Sequence, residues 1–165
     1  MAKALITTVP FGMNNRLPLD LLENAGVEYF INPHKKKLVE GQLAELVGDF
    51  DVLIAGTELI TEKILSKAPK LKLISRVGIG LDSIDLDAVK KRGIKISYTP
   101  DAPAPAVAEL TLGMILSLLR SVHISNRQMH HGTWERIFGR RLSDITIGII
   151  GVGRIGIHLL RCMSG

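Results

Sequence analysis

Short apolar runs alternate with amphipathic segments along the first hundred residues. Ala4–Thr8, Val27–Ile31, Phe50–Ala55, Leu71–Ser75 and Ile94–Ser97 read as strands. Phe50–Ala55 has almost no polar interior, as expected of a strand covered on both faces. Between these runs, Leu19–Ala25, Gln42–Val47, a segment from an N-cap at Thr61 through Lys67, and Asp85–Arg92 read as helices. Gly26, Gly48 and Gly93 follow three of them, where a missing Cβ suits a left-handed cap. Five strands separated by helices predict a parallel sheet with helices on both faces.

The pattern then changes. From Pro105 to His130 the spacing predicts one long helix, roughly 39 Å at 1.5 Å per residue. Pro105 suits its first turn. The stretch Leu110–Leu119 is apolar on nearly every face, so the helix is expected to be covered on several sides. It is about half the length a bilayer requires, which points to a buried helix and not a membrane span. A loop through Trp134 and Gly139 leads to a predicted strand, Ile145–Ile150. A glycine-rich turn and a last helix, Arg154–Met163, follow.

Composition places the boundary between the two patterns. All eleven lysines lie in residues 1–100, and the remainder uses seven arginines instead. Pro100, Pro103 and Pro105 cluster at the junction, which should be extended. Domains of residues 1–100 and 101–165 are expected. With 46% apolar and 22% charged residues in 165, the chain is globular, not disordered. Cys162 is the only cysteine, which excludes a disulfide scaffold. A lone thiol fits a reducing compartment, and a cytoplasmic location is expected. The net charge of +5 invites a nucleic-acid partner. The charges are scattered, however (Lys35–Lys37, Lys90–Arg92, Arg140-Arg141), and aromatics are only 4%, so solvated loops and helix ends explain them better. Neither a nucleic-acid nor a membrane partner is expected, and no metal site.

The turn Gly151-Val152-Gly153-Arg154-Ile155-Gly156 carries the candidate chemistry. It is G-x-G-x-x-G placed after an apolar run and opening a helix. Gly151 would permit the tight turn, Gly153 the approach of a pyrophosphate, and Gly156 close packing of helix on strand. The helix N-terminus adds unpaired N–H groups and partial positive charge. The plain alternative is a glycine-rich turn without a ligand. The acidic residue that takes the ribose hydroxyls should follow about 20 residues on, yet Gly165 is the last residue. The chain is therefore expected to be cut within its second domain.

A second candidate follows the fourth strand: Ser75-Arg76-Val77-Gly78-Ile79-Gly80-Leu81-Asp82. Ligands of open parallel sheets bind beyond the carboxyl ends of strands. Two glycines beside an arginine form a backbone cup suited to a carboxylate. Equally, this is a strand-to-helix loop with Asp82 or Ser83 as N-cap.

Together these residues resemble the D-isomer-specific 2-hydroxyacid dehydrogenases, the family that includes phosphoglycerate dehydrogenase. The resemblance rests on Ser75–Asp85, Thr99–Glu109, Gly132–Trp134 and Thr146–Gly156, and is looser over residues 1–49. It implies a flavodoxin-like parallel-sheet substrate domain followed by the start of a Rossmann-type dinucleotide-binding domain. It implies that Arg76, Gly78, Ile79 and Gly80 serve the substrate, the backbone of Ile79 and Gly80 holding its carboxylate, with Ile79 near the nicotinamide of NAD. It also implies that Gly151, Val152, Gly153, Arg154, Ile155 and Gly156 hold the pyrophosphate, and that the helix Pro105–His130 belongs to a homodimer interface. Burial within one chain accounts for that helix equally well.

The family's catalytic arginine, glutamate and histidine follow the fingerprint, and no residue here matches them. His123, His130, His131 and His158 lie in the wrong places. Pro103 stands where the family often has asparagine. Gly56-Thr57 stands where phosphoglycerate enzymes commonly carry arginine. A phosphate is held best by a bidentate cation, so the expected substrate is an unspecified small D-2-hydroxy or 2-keto acid. NAD is expected, with NADP not distinguished from it. The 165 residues alone are expected to be inactive. Two competing readings are a non-catalytic dimerising module and a flavin- or S-adenosylmethionine-binding α/β protein.

Overall fold

The computed structural model describes residues 1–164. The chain forms two compact units, Met1–Pro100 and Asp101–Gly165. In the first, β1 (Lys3–Ile6), β2 (Glu28–Ile31), β3 (Val52–Ala55), β4 (Leu73–Arg76) and β5 (Lys95–Tyr98) pair in parallel, in the order β2-β1-β3-β4-β5. This is the flavodoxin-like order, and all five expected strands form. The helices are α1 (Leu17–Asn24), α2 (Glu40–Leu46), α3 (Glu62–Ser66) and α4 (Leu86–Lys91).

Two apolar clusters lie on the sheet. One gathers Leu5, Leu43, Leu53, Ile64, Leu65 and Ile74; the other gathers Ala4, Ile6, Leu19 and Ile54. Neighbouring residues of β1 and β3 thus divide between clusters, because successive side chains point to opposite faces. Thr61 caps α3 as expected, its hydroxyl accepting from the N–H of Ile64. Gly26 and Gly93 take the left-handed conformation. Gly48 does not cap a helix: Val47–Asp49 tightens into a 3₁₀ turn in which the Phe50 N–H bonds to the Val47 carbonyl. The N-cap of α4 is Asp85, neither Asp82 nor Ser83. Its carboxylate takes the Ala88 N–H at 2.9 Å, three residues on.

The second unit departs from expectation in three ways. The long helix is two, α5 (Ala104–Leu119) and α6 (Val122–His130), bent by 67°. Ser121 takes a left-handed conformation at φ 52° and interrupts the hydrogen-bond ladder. The freed Leu119 carbonyl accepts the Arg140 N–H at 2.9 Å. Second, α5 is not covered on several sides. Of its sixteen residues only Ala104 and Ala108 are buried, against α7 (Arg154–Ser164). Third, Ile145–Ile150 forms no strand. Ile145, Ile147 and Ile149 are half-buried between exposed neighbours, the alternation of a strand. A strand is completed by ladder partners, and the described residues of this unit supply none. Among the described residues no single helix is long and apolar enough to cross a membrane.

Candidate functional site

The loop after β4 forms a strained turn. Gly78 has φ 147°, a conformation that side chains disfavour, and a Cβ there would press on the Arg76 guanidinium. The Gly78 N–H donates to Thr99 Oγ1 at 2.9 Å, and its carbonyl accepts the Thr99 N–H at 3.1 Å. The chain after β5 therefore clamps the loop. Beyond this clamp, no acceptor among the described residues takes the N–H of Ile79 or Gly80. Two adjacent N–H groups without an acceptor can take an anion such as a carboxylate. Arg76 donates to the Val77 carbonyl, while its Nε is buried without a partner. Arg76, Gly78, Ile79 and Gly80 are thus brought together in one loop.

Gly151–Gly156 forms the second element. Gly151 has φ 88°, and α7 begins at Arg154, directly after the turn. The N–H groups of Arg154, Ile155 and Gly156 lie in the first turn, where no intrahelical carbonyl can reach them. Around Gly153 there is open space: a Cβ there would meet nothing within 4 Å. A phosphate can approach this backbone, so the residues present fit a dinucleotide. Arg154 does not extend freely. Its Nε holds Asp101 Oδ1 at 2.6 Å. Val152 is exposed and Ile155 borders on exposed.

The sequence reading missed a third group. Glu58 is 2% exposed, although it follows β3 in what reads as a polar loop. Its Oε1 accepts from the hydroxyl of Thr7, itself 1% exposed, and from the Gly56 N–H at 3.0 Å. Buried Asn32 donates from Nδ2 to the carbonyls of Lys36, at 2.8 Å, and Thr7, at 3.3 Å. The legible signal was Thr7, a polar residue ending the apolar run of β1. A buried hydroxyl requires a partner.

The histidines carry no such arrangement. His130 and His131 bond to the carbonyls of Asn126 and Arg127, one turn back in α6.

A sequence profile described as D-isomer specific 2-hydroxyacid dehydrogenase, catalytic domain, matches residues 13–153. D-3-phosphoglycerate dehydrogenase of Methanocaldococcus jannaschii is 38% identical over 128 residues, covering 75% of this chain and 24% of the relative. Hydroxypyruvate reductase of Thermotoga maritima is 38% identical over 122 residues, covering 72% of this chain and 40% of the relative. Among solved structures, cofactor (NAD+)-bound 3-phosphoglycerate dehydrogenase of Entamoeba histolytica superposes with a TM-score of 0.81. It is 30% identical and covers 99% of this chain and 50% of that one. The chain therefore spans a quarter to two-fifths of these curated relatives and half of the solved one.

Proposed function

We propose a function from one premise: the chain belongs to the D-isomer specific 2-hydroxyacid dehydrogenase family, whose catalytic-domain profile matches residues 13–153. The reaction is reversible hydride transfer between a nicotinamide and C2 of a small D-2-hydroxy or 2-keto acid. Met1–Pro100 serves the substrate, and the unit from Asp101 begins the cofactor domain.

The observation that carries the reading is the turn Gly151–Gly156, with open space at Gly153 and free N–H groups opening α7. Those N–H groups and the helix dipole hold a pyrophosphate. NAD supplies the hydride acceptor when bound; the NAD+-bound state of the Entamoeba relative supports NAD. The N–H groups of Ile79 and Gly80 hold the substrate carboxylate, and the Gly78–Thr99 clamp keeps them aligned. Arg76, half-buried, braces the loop by donating to the Val77 carbonyl. No residue here matches the family's catalytic arginine, glutamate and histidine, and no turnover is expected of these 165 residues alone.

One observation favours association as well. Val107, Leu110, Met114 and Leu118 form an exposed apolar stripe at helical spacing along α5. This supports a homodimer through the Pro105–His130 region. The single cysteine, Cys162, supports a cytoplasmic location.

The test is an assay of the natural-length protein with small D-2-hydroxy and 2-keto acids and either NAD or NADP. Cofactor- and acid-dependent turnover is expected. Saturable flavin or S-adenosylmethionine binding without nicotinamide binding would overturn the reading.

A further inference from the structure

The Glu58 carboxylate lies where the sheet changes direction. The chain leaves β1 toward β2 and leaves β3 toward β4, on opposite sides, so the carboxyl ends of β1 and β3 open a crevice. A cavity of about 120 Å³ opens there, lined by Thr8, Lys37, Gly56, Glu58 and Val77 among others. Gly56 keeps it open: a Cβ there would lie 3.0 Å from Glu58 Oε2 and 3.1 Å from Thr8 Cα.

One side of this carboxylate is satisfied and the other is not. Oε1 takes the Thr7 hydroxyl and the Gly56 N–H, whereas Oε2 accepts no hydrogen bond from the described residues. Glu58 forms no ion pair among them. A buried charge is screened far less than a surface one. Lys37 also lines the cavity but is exposed, and solvent weakens an exposed lysine. The cavity therefore presents an unsatisfied carboxyl oxygen as an acceptor, with the exposed Lys37 also on its wall.

We propose that Glu58 selects the tail of the substrate acid: a tail bearing a hydroxyl is accepted, and a phosphate-bearing tail is refused. This rests on the reading above, with the acid's carboxylate on Ile79 and Gly80. Val77 is both a wall of the cavity and two residues from Ile79, at most about 7 Å along the chain. A three-carbon acid, about 5 Å from carboxylate oxygen to terminal hydroxyl oxygen and extended by a hydrogen bond of about 2.8 Å at each end, spans that distance. A hydroxyl there donates to Oε2 and completes the carboxylate. A phosphate brings like charge against it and no donor.

The test is calorimetric binding of D-glycerate, D-lactate and D-3-phosphoglycerate to the natural-length protein, unsubstituted and as Glu58→Gln. D-Glycerate is expected to bind at least about tenfold tighter than either other acid. Glu58→Gln keeps the acceptor for Thr7 and Gly56 but replaces Oε2 by a donor, and should shrink the preference over D-3-phosphoglycerate to within about threefold. Equal or tighter binding of D-3-phosphoglycerate by the unsubstituted protein overturns the proposal while leaving the dehydrogenase reading intact. So does D-lactate binding as tightly as D-glycerate, or a preference unchanged in a folded Glu58→Gln. Binding of none of the three acids overturns the carboxylate site itself, and this proposal with it. If Glu58→Gln does not fold, the ranking by the unsubstituted protein decides.

Discussion

A Cβ on Gly156 would lie 2.7 Å from the carbonyl oxygen of Gly151, closer than real Cβ atoms approach. The first turn of α7 therefore rests on the backbone of the glycine turn. Gly156→Ala should cost about 1–3 kcal/mol, read as a lower denaturant midpoint. At Gly153 a Cβ meets nothing within 4 Å. Gly153→Ala should leave stability within about 0.5 kcal/mol of the unsubstituted protein, yet weaken NADH binding by filling the approach to the backbone. Equal stability losses in the two variants would show that the turn's packing is misassigned.

The bend between α5 and α6 rests on a similar approach. A Cβ on Gly139 would lie 2.6 Å from the Leu119 carbonyl oxygen and 3.0 Å from Arg120 Cα. Gly139→Ala should push Arg140 off that carbonyl, leave it unpaired and destabilise by about 1–3 kcal/mol. Thermal unfolding checks this.

The apolar stripe on α5 makes a prediction about assembly. Sedimentation at micromolar concentration should show a dimer. Leu110→Lys with Leu118→Lys, both at exposed positions, should give a folded monomer, because neither side chain is used inside the chain.

Stability should fall on acidification. Lys72 and the Lys3 N–H hold the Asp51 carboxyl below the usual carboxylate range, and Lys70 does the same for Asp49. The Thr61 hydroxyl, then Lys63, lowers Glu40. A carboxylate whose folded pKa is depressed contributes stability above its unfolded value and loses it as pH falls through the folded one. The urea midpoint should therefore drop between about pH 5 and pH 2, and less steeply in Asp51→Asn. An equal slope in that variant would remove Asp51 from the account.

Much of the first unit was legible because its strands are short apolar runs set between helical patterns, and the inner strands β1 and β3 are buried on both faces. The loop at Gly78–Gly80 and the turn at Gly151–Gly156 were legible because tight backbone demands glycine. What escaped was decided by tertiary partners. Ser121 carries no helix-breaking signature, and the Leu119 carbonyl freed by its turn is capped by Arg140, twenty-one residues later. Ile145–Ile150 keeps a strand's alternation without a ladder. Glu58 reads as a surface residue until Thr7, fifty-one positions earlier, is found bonded to it.

Hydride transfer to C2 is tested by following an atom. The natural-length protein is given a small 2-keto acid and reduced nicotinamide carrying deuterium at both C4 positions, and the product is examined at C2. Deuterium is expected at C2 of a D-2-hydroxy acid, and is lost in Gly153→Val. Product absent, or formed without the label, would contradict hydride transfer.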